Sequence, residues 1–392
     1  MISSDLILGL PAYQITGLER CGQEVRILVR YTGPISCPHC GGEQLRNKDR
    51  FTRRIRHESR CGRRCVLLLM GHKYRCLGCG RYFRQRFPGI LQYQRSSEAY
   101  QKRIFLFHLD GINRSQLGRR EGMGAATVER YFQRQIERKL RERNAEPCPR
   151  VLGIDEHFFT RRKGFATTFC DLSKHKIHDL ALGRSQLSLE PYLQALEGKS
   201  EVRVICMDLS ATYRAIAKRY FPNASIVADR FHVIRLVNHH FRACWRELDP
   251  EASKNRGLAS LMRRHQSNLK PEQKRKLFAY LDRQPAIKLI YRFKQFLCNL
   301  LKKKTCTKRT CARLAPRLLR AIQQLRQAGL TQLVQLGETL HSWREEIARM
   351  WRFSRSNGIT EGFHNKMENI SRAAYGFRNF NNYSMRVRML CS

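Results

Sequence analysis

Three acids have the types and positions to hold metal ions. Asp155 closes the apolar run Val151-Leu152-Gly153-Ile154, and Asp208 closes Val202-Arg203-Val204-Ile205-Cys206-Met207. Glu361 lies far downstream in Thr360-Glu361-Gly362-Phe363. An apolar, β-branched run that stops on an acid reads as a buried strand delivering one carboxylate to the rim of a sheet, where water and a substrate can reach it. Carboxylates gathered this way suit two-metal phosphodiester chemistry. Taken singly, each acid reads more simply as a loop residue or helix cap, so the rest of the chain decides.

The elements that must position these acids follow from periodicity. Residues 151–155, 165–172 and 177–183 read as three successive strands, with Lys174-His175-Lys176 turning between the second and third. A helix over 188–196, a strand over 202–208, a helix over 211–220 stopped by Pro222, and a fifth strand over 225–229 complete the pattern. Three strands in meander followed by alternating helix and strand is the order of a ribonuclease H-like α/β fold. Its first and fourth strands are adjacent, which would make Asp155 and Asp208 neighbours. Thr360 is expected to cap a helix with Phe363, Met367 and Ile370 on its buried stripe and Glu361, Asn365 and Glu368 on the polar face. Either glutamate fits a third ligand. Glu361 is preferred because it sits in the first turn between Gly358 and Gly362, where backbone can approach a metal and phosphate closely.

Composition selects the partner. The 392 residues carry 75 Lys plus Arg against 32 Asp plus Glu, a formal charge of +43, spread along the whole chain. Such charge calls for a polyanion, and nucleic acid fits because each neutralised phosphate releases counterions. A membrane surface would call for an amphipathic or lipidated anchor, and no apolar run approaches the ~20 residues of a membrane span. Met1-Ile2-Ser3-Ser4-Asp5 has no basic n-region, so a cytoplasmic, nucleoid-associated protein is expected. The fifteen cysteines, several isolated inside apparent strands and helices, suit a reducing compartment. Two knuckles stand apart: Cys37-Pro38-His39-Cys40 and Cys76-Leu77-Gly78-Cys79 have the spacing that lets four thiolates grip one tetrahedral Zn2+. Cys61 and Cys65 are rival ligands that read better as free thiols.

The chain is therefore expected to be a multidomain α/β protein. After an N-terminal extension (1–35), residues 36–93 read as a zinc ribbon and residues 94–146 as a helix-turn-helix. Its Gly-containing turn lies within the stretch from Asn113 to Val128, and Arg130, Gln133, Arg134 and Arg138 face double-stranded DNA. The catalytic core occupies 147–243 and 352–392. It is interrupted over 244–351 by a Lys/Arg-rich helical insertion, whose run Lys302-Lys303-Lys304-Thr305-Cys306-Thr307-Lys308-Arg309 suits phosphate contact.

Gly153-Ile154-Asp155-Glu156-His157, Met207-Asp208-Leu209-Ser210, Phe221-Pro222-Asn223-Ala224, Ala228-Asp229-Arg230-Phe231-His232-Val233, Thr360-Glu361-Gly362 and Tyr375-Gly376-Phe377-Arg378-Asn379-Phe380 together resemble the ISL-three family of bacterial insertion-sequence transposases. The match spans nearly the whole chain. The resemblance implies an acidic triad of Asp155, Asp208 and Glu361 on a ribonuclease H-like fold, and it selects Glu361 over Glu368. Asp229 and His232 belong to a further family string and would support the site without being primary ligands.

On that reading, two Mg2+ (or Mn2+) ions bridged by Asp155 would serve cleavage and joining of transposon-end and target DNA within a homo-oligomer on DNA. His157, His232 and His364 read as phosphate contacts or structural hydrogen bonders. Two rivals stand beside it: a non-catalytic DNA-binding regulator, and a nuclease of the same fold that cuts without joining.

Overall fold

The computed structural model describes residues 7–60, 62–144, 147–353 and 358–391. Two compact units divide the chain, residues 1–143 and 144–392. Cys61 lies outside the described residues.

In the first unit, strands β1 (Tyr13–Cys21), β2 (Glu24–Tyr31), β3 (Leu45–Arg60), β4 (Arg63–Cys76) and β5 (Tyr82–Arg84) form one sheet. β3 pairs with one edge of β4 along most of its length, while the other edge takes first β2 and then β5. Alternation sets the inner face: Cys65, Leu67 and Leu69 of β4 point the same way as Ile27, Val29 and Ile55 and are buried with them. The boundary expected at residue 35 falls inside this fold. β2 is laid down parallel to β4, so the N-terminal segment shares a sheet with the cysteine-bearing strands.

Three helices follow, α1 (Glu98–Leu109), α2 (Arg114–Glu121) and α3 (Ala125–Asn144). Ser97 and Asn113 cap α1 and α2 by accepting from the amides of Tyr100 and Gln116. Gly122 ends α2 with a φ of 63°, a left-handed turn in which glycine has no Cβ penalty. Tyr100, Ile104, Leu117 and Val128 form the buried centre of the three helices. The inward face of α1 includes Phe105, whereas its neighbour Leu106 is 40% exposed.

The second unit is built on β6 (Val151–Thr160), β7 (Gly164–Asp171), β8 (Lys176–Leu182), β9 (Val204–Met207) and β10 (Ser225–Ala228), in the spatial order β10-β9-β6-β7-β8. β6, β7 and β8 are an antiparallel meander, and β9 and β10 run parallel to β6. α4 (Gln186–Ala195) and α5 (Ala211–Tyr220) join these strands, α6 (Arg230–Leu248) follows β10, and the three cover one face.

The remaining helices are α7 (Pro250–Lys254), α8 (Arg256–Arg263), α9 (Pro271–Leu281), α10 (Pro285–Leu301), α11 (Lys308–Arg326), α12 (Thr331–Ser342), α13 (Arg344–Arg349), α14 (Gly358–Ala373) and α15 (Phe380–Leu390). The segment read as an insertion does not stand apart. α6 runs unbroken through residues 243–244, and apolar residues of α10 to α13 share a continuous core with Leu152, Ile154, Ile205 and Met207 of the sheet. α7 to α9 gather around a smaller centre that includes Trp245 and Tyr291. Arg230 fastens the junction: its guanidinium, 7% exposed, donates to the carbonyls of Leu301, Lys303 and Met350. The opposite face of the sheet is covered by α14 and α15 through Met367, Phe380, Tyr383 and Val387. Among the described residues no helix is long and apolar enough to cross a membrane.

Candidate active site

Asp155 does not close its strand. β6 continues to Thr160 because its hairpin partner β7 pairs with it to the end, Thr160 opposite Gly164. The ladder with β9, however, stops at Ile154 opposite Met207, since the chain leaves β9 at Asp208. Asp155 thus sits where β6 loses one neighbour, and Asp208 is the first residue beyond that neighbour. β10 ends in the same row, Ala228 opposite Met207, and the Asp229 amide donates to the Met207 carbonyl at 2.6 Å. Three aspartates therefore stand at the same edge of three adjacent parallel strands.

Their environments differ. Asp155, 6% exposed, accepts from the amide of Glu156 at 2.9 Å and is pushed up to about 7, first by burial and then by the charge of Asp208. Asp208 is pushed up to about 6, first by burial and then by Glu156, while the Ser210 amide and Arg235 act the other way. Its Oδ1 is buried without a hydrogen-bond partner among the described residues. Thr168 Oγ1, whose residue pairs with Asp155 across the β6–β7 ladder, is in the same condition. Buried carboxylates that raise one another's pKa, with a bare oxygen among them, are a donor set short of positive charge. Hard divalent cations with oxygen preference, Mg2+ or Mn2+, fit that deficit.

Asp229 has a structural role of its own. It caps α6 by accepting from the amide of Phe231 at 3.3 Å, and its other carboxylate oxygen lies 3.7 Å from His232 Nε2. Arg235 donates to His232 Nδ1 at 3.1 Å, so a short chain from Arg235 through His232 to Asp229 borders the acids. Arg235 was absent from the residues singled out in the sequence. Its spacing of three from His232 places it on the same helical face and was the available signal.

The third acid comes from α14. Its first turn begins at Gly358, so Thr360 lies inside the helix as a fully buried residue and is not its cap. Glu361 is in that first turn, and its side chain lies outside the described residues. The helix packs on the same side of β6 as Asp155: His157, two residues along the strand, meets His364 with ring centroids 5.2 Å apart. Tyr383 of α15 shares a hydrogen bond with His157 Nε2 at 2.9 Å. Burial, and then the nearby His157 and His232, push His364 down to about 4, which keeps it neutral. Glu368, the alternative glutamate, is exposed and paired with Arg372 at 2.7 Å.

In the first unit the four knuckle cysteines converge. The Sγ atoms of Cys37, Cys40, Cys76 and Cys79 all lie within 4.8 Å of one another, with Cys37–Cys79 at 3.6 Å and Cys40–Cys76 at 3.5 Å. This is the one such cluster of His, Cys, Asp or Glu ligand atoms among the described residues. Tetrahedral Zn–S bonds of about 2.3 Å require sulfurs roughly 3.8 Å apart, so the thiols fit the ion with little movement. The two knuckles are matched turns: Gly41 and Gly80 have φ of 76° and 71°, and their amides bond back to the Cys37 and Cys76 carbonyls. The backbone amide of Cys79 leads in lowering the Cys76 thiol to about 7, toward the thiolate a metal needs.

On α3, Arg130, Arg134 and Arg138 are exposed and Gln133 is half-buried. Gln133 donates to Glu129 and Arg138 to Gln135, whereas Arg134 reaches back to Gln101 of α1 at 3.2 Å.

Residues 152–387 match the ISL3 (ISL-three) family, described as transposase, and the chain belongs to that transposase family. It is also similar to the transposase for insertion sequence element IS1001 of Bordetella parapertussis, at 22% identity over 99% of this chain and 98% of that protein.

Proposed function

We propose that this insertion-sequence transposase binds the terminal inverted repeats of its element and catalyses metal-dependent DNA strand cleavage and strand transfer, with Asp155, Asp208 and Glu361 as its metal-holding acids. The observation that carries the reading is the row of acids at the ends of adjacent strands, with Asp208 Oδ1 left bare. The meander followed by parallel strands, in the order 5-4-1-2-3, supports a ribonuclease H-like core. Asp155, Asp208 with its unpartnered oxygen, and Glu361 from the first turn of α14 would together hold the ions. Asp229 braces the edge by capping α6, and Glu368 is left to its ion pair with Arg372. When bound, two Mg2+ or Mn2+ ions would supply activation of water or a DNA 3′-hydroxyl and charge stabilisation at the leaving 3′-oxygen.

In the first unit, the four cysteines fit a structural Zn2+ and α2 with α3 a helix-turn-helix, in which Arg130 and Gln133 near the start of the second helix are best placed to meet base edges. The charge of +43 supports a complex that holds several DNA segments on a homo-oligomer.

The test is incubation of labelled terminal-repeat DNA with the protein in Mg2+ or in EDTA. Cleaved and joined products only with Mg2+ are expected. Cleavage without joining would mean a nuclease, and binding without either product would mean a regulator.

A further inference from the structure

The far end of the N-terminal sheet carries a surface that neither the cysteine cluster nor α3 accounts for. Beyond the last pairing of β2 the sheet narrows to β3, β4 and β5. Register there sets Arg46, Arg75 and Tyr82 in one row across the three strands, and Asp49, Lys73 and Arg84 in the next. Alternate residues of a strand share a face, so Lys73 and Arg75 bring both rows to the same side. Arg46, Lys73, Arg75 and Arg84 are all exposed.

Cross-strand neighbours stand about 4.5–5.5 Å apart, and like charges so placed repel. Arg46 opposite Arg75 and Lys73 opposite Arg84 are two such pairs. Asp49, across from Lys73, is the one acid in these rows; its Oδ1 accepts from the Arg50 amide, and it makes no ion pair with the four cations among the described residues. Three of them rest on rings: Lys73 and Arg75 lie 5.7 and 5.9 Å from the centroid of Tyr82, and Arg84 lies 5.7 Å from that of Phe51. Aromatic faces hold a cation in place without neutralising it. Tyr82 itself is 53% exposed between the arginines. A face of fixed, unneutralised cations is stabilised by a polyanion, whose condensed counterions are released on contact.

We infer that this face is a second contact for the phosphate backbone of duplex DNA, separate from α3. The inference rests on the reading of the chain as a DNA-binding transposase. Because the contacts are to backbone, they add affinity on any sequence, and recognition of the element's ends stays with the helices. The Cys76–Cys79 knuckle joins β4 to β5 and so fixes the register of both rows.

The test compares the full-length protein with the R46Q/K73Q/R75Q variant and with the charge-retaining R46K/K73R/R75K variant. Binding to terminal-repeat and to random duplex is titrated by fluorescence anisotropy over a range of salt, with zinc content measured in each protein. Each lost phosphate contact lowers the slope of log K against log salt by about 0.9, so the glutamine variant is expected to lose roughly 2.7 on both duplexes. The charge-retaining variant is expected to keep the wild-type slope. A glutamine variant that keeps its zinc and the wild-type slope overturns the inference. So does an equal loss in both variants. If the wild-type protein itself shows no salt-dependent duplex binding, the functional reading falls first and this surface with it.

Discussion

Replacing Asp155 by Asn should stabilise the metal-free protein at alkaline pH while removing its capacity for chemistry. Asp155 is raised from the ordinary 3.8 to about 7 in the folded chain. A folded-state pKa above the unfolded one means that the folded protein binds the proton more tightly. The resulting stability is complete below about pH 4 and is lost as pH rises through about 7. Three units correspond to roughly 4 kcal/mol of unfavourable ionisation once the carboxylate is charged, at about 1.36 kcal/mol per unit. Asn keeps the shape and removes the charge, although its amide must still be buried, which returns about 1–2 kcal/mol. A net gain of about 2–3 kcal/mol at pH near 8 would raise the midpoint of the 144–392 unit by roughly 4–12 °C, at about 2–4 °C per kcal/mol for a domain of this size. Thermal unfolding followed by circular dichroism in EDTA, near pH 4 and near pH 8, measures it. The gain should vanish at the lower pH and shrink when Mg2+ binds and stabilises the wild type. A variant less stable than wild type near pH 8, or equally stabilised at both pH values, would refute the electrostatic account of this edge.

Other perturbations reach the parts that hold the site. Cys76→Ser should abolish stoichiometric zinc, measured by elemental analysis, and destabilise the first unit, because structural zinc contributes on the order of 10 kcal/mol to folding such a site. Arg230→Gln strands the carbonyls of Leu301, Lys303 and Met350 and should cost about 3 kcal/mol or more in urea unfolding. Replacing Arg130 and Gln133 by Ala should reduce preference for the terminal repeat over random duplex by about 1–3 kcal/mol per lost base contact in gel shift, whereas Arg134→Ala, tied to Gln101, should matter less.

Much of the core was legible because its strands are short apolar runs between turns. The run at 202–207 is interrupted only by Arg203, and the strand within it, β9, is buried along its whole length. The helix over 211–220 was readable to its ends, since Ser210 caps it and Pro222 follows. What failed to show was where strands lose their partners. Asp155 reads as a terminus, yet Phe158 and Phe165 carry the β6–β7 ladder onward, and only β9 stops beside it. Thr360 reads as a cap, but a buried hydroxyl inside a helix has the same sequence signature. Helices 10 to 13 revealed their amphipathic faces without revealing the partner, and a stripe of leucines does not say that it packs on Leu152 and Ile205. The His157–Tyr383 bond joins residues 226 apart and has no local trace. By contrast, the pairing of Glu368 with Arg372 was available from their spacing of four.

The central claim is that Asp155, Asp208 and Glu361 hold divalent metal together. Titration of Mn2+ into the full-length protein, followed by electron paramagnetic resonance, measures it directly in the wild type and in D155N, D208N, E361Q and E368Q. The predicted result is tight binding in the wild type and in E368Q, and loss of it in each of the other three. Wild-type Mn2+ binding by D155N, or loss in E368Q with retention in E361Q, would contradict the account.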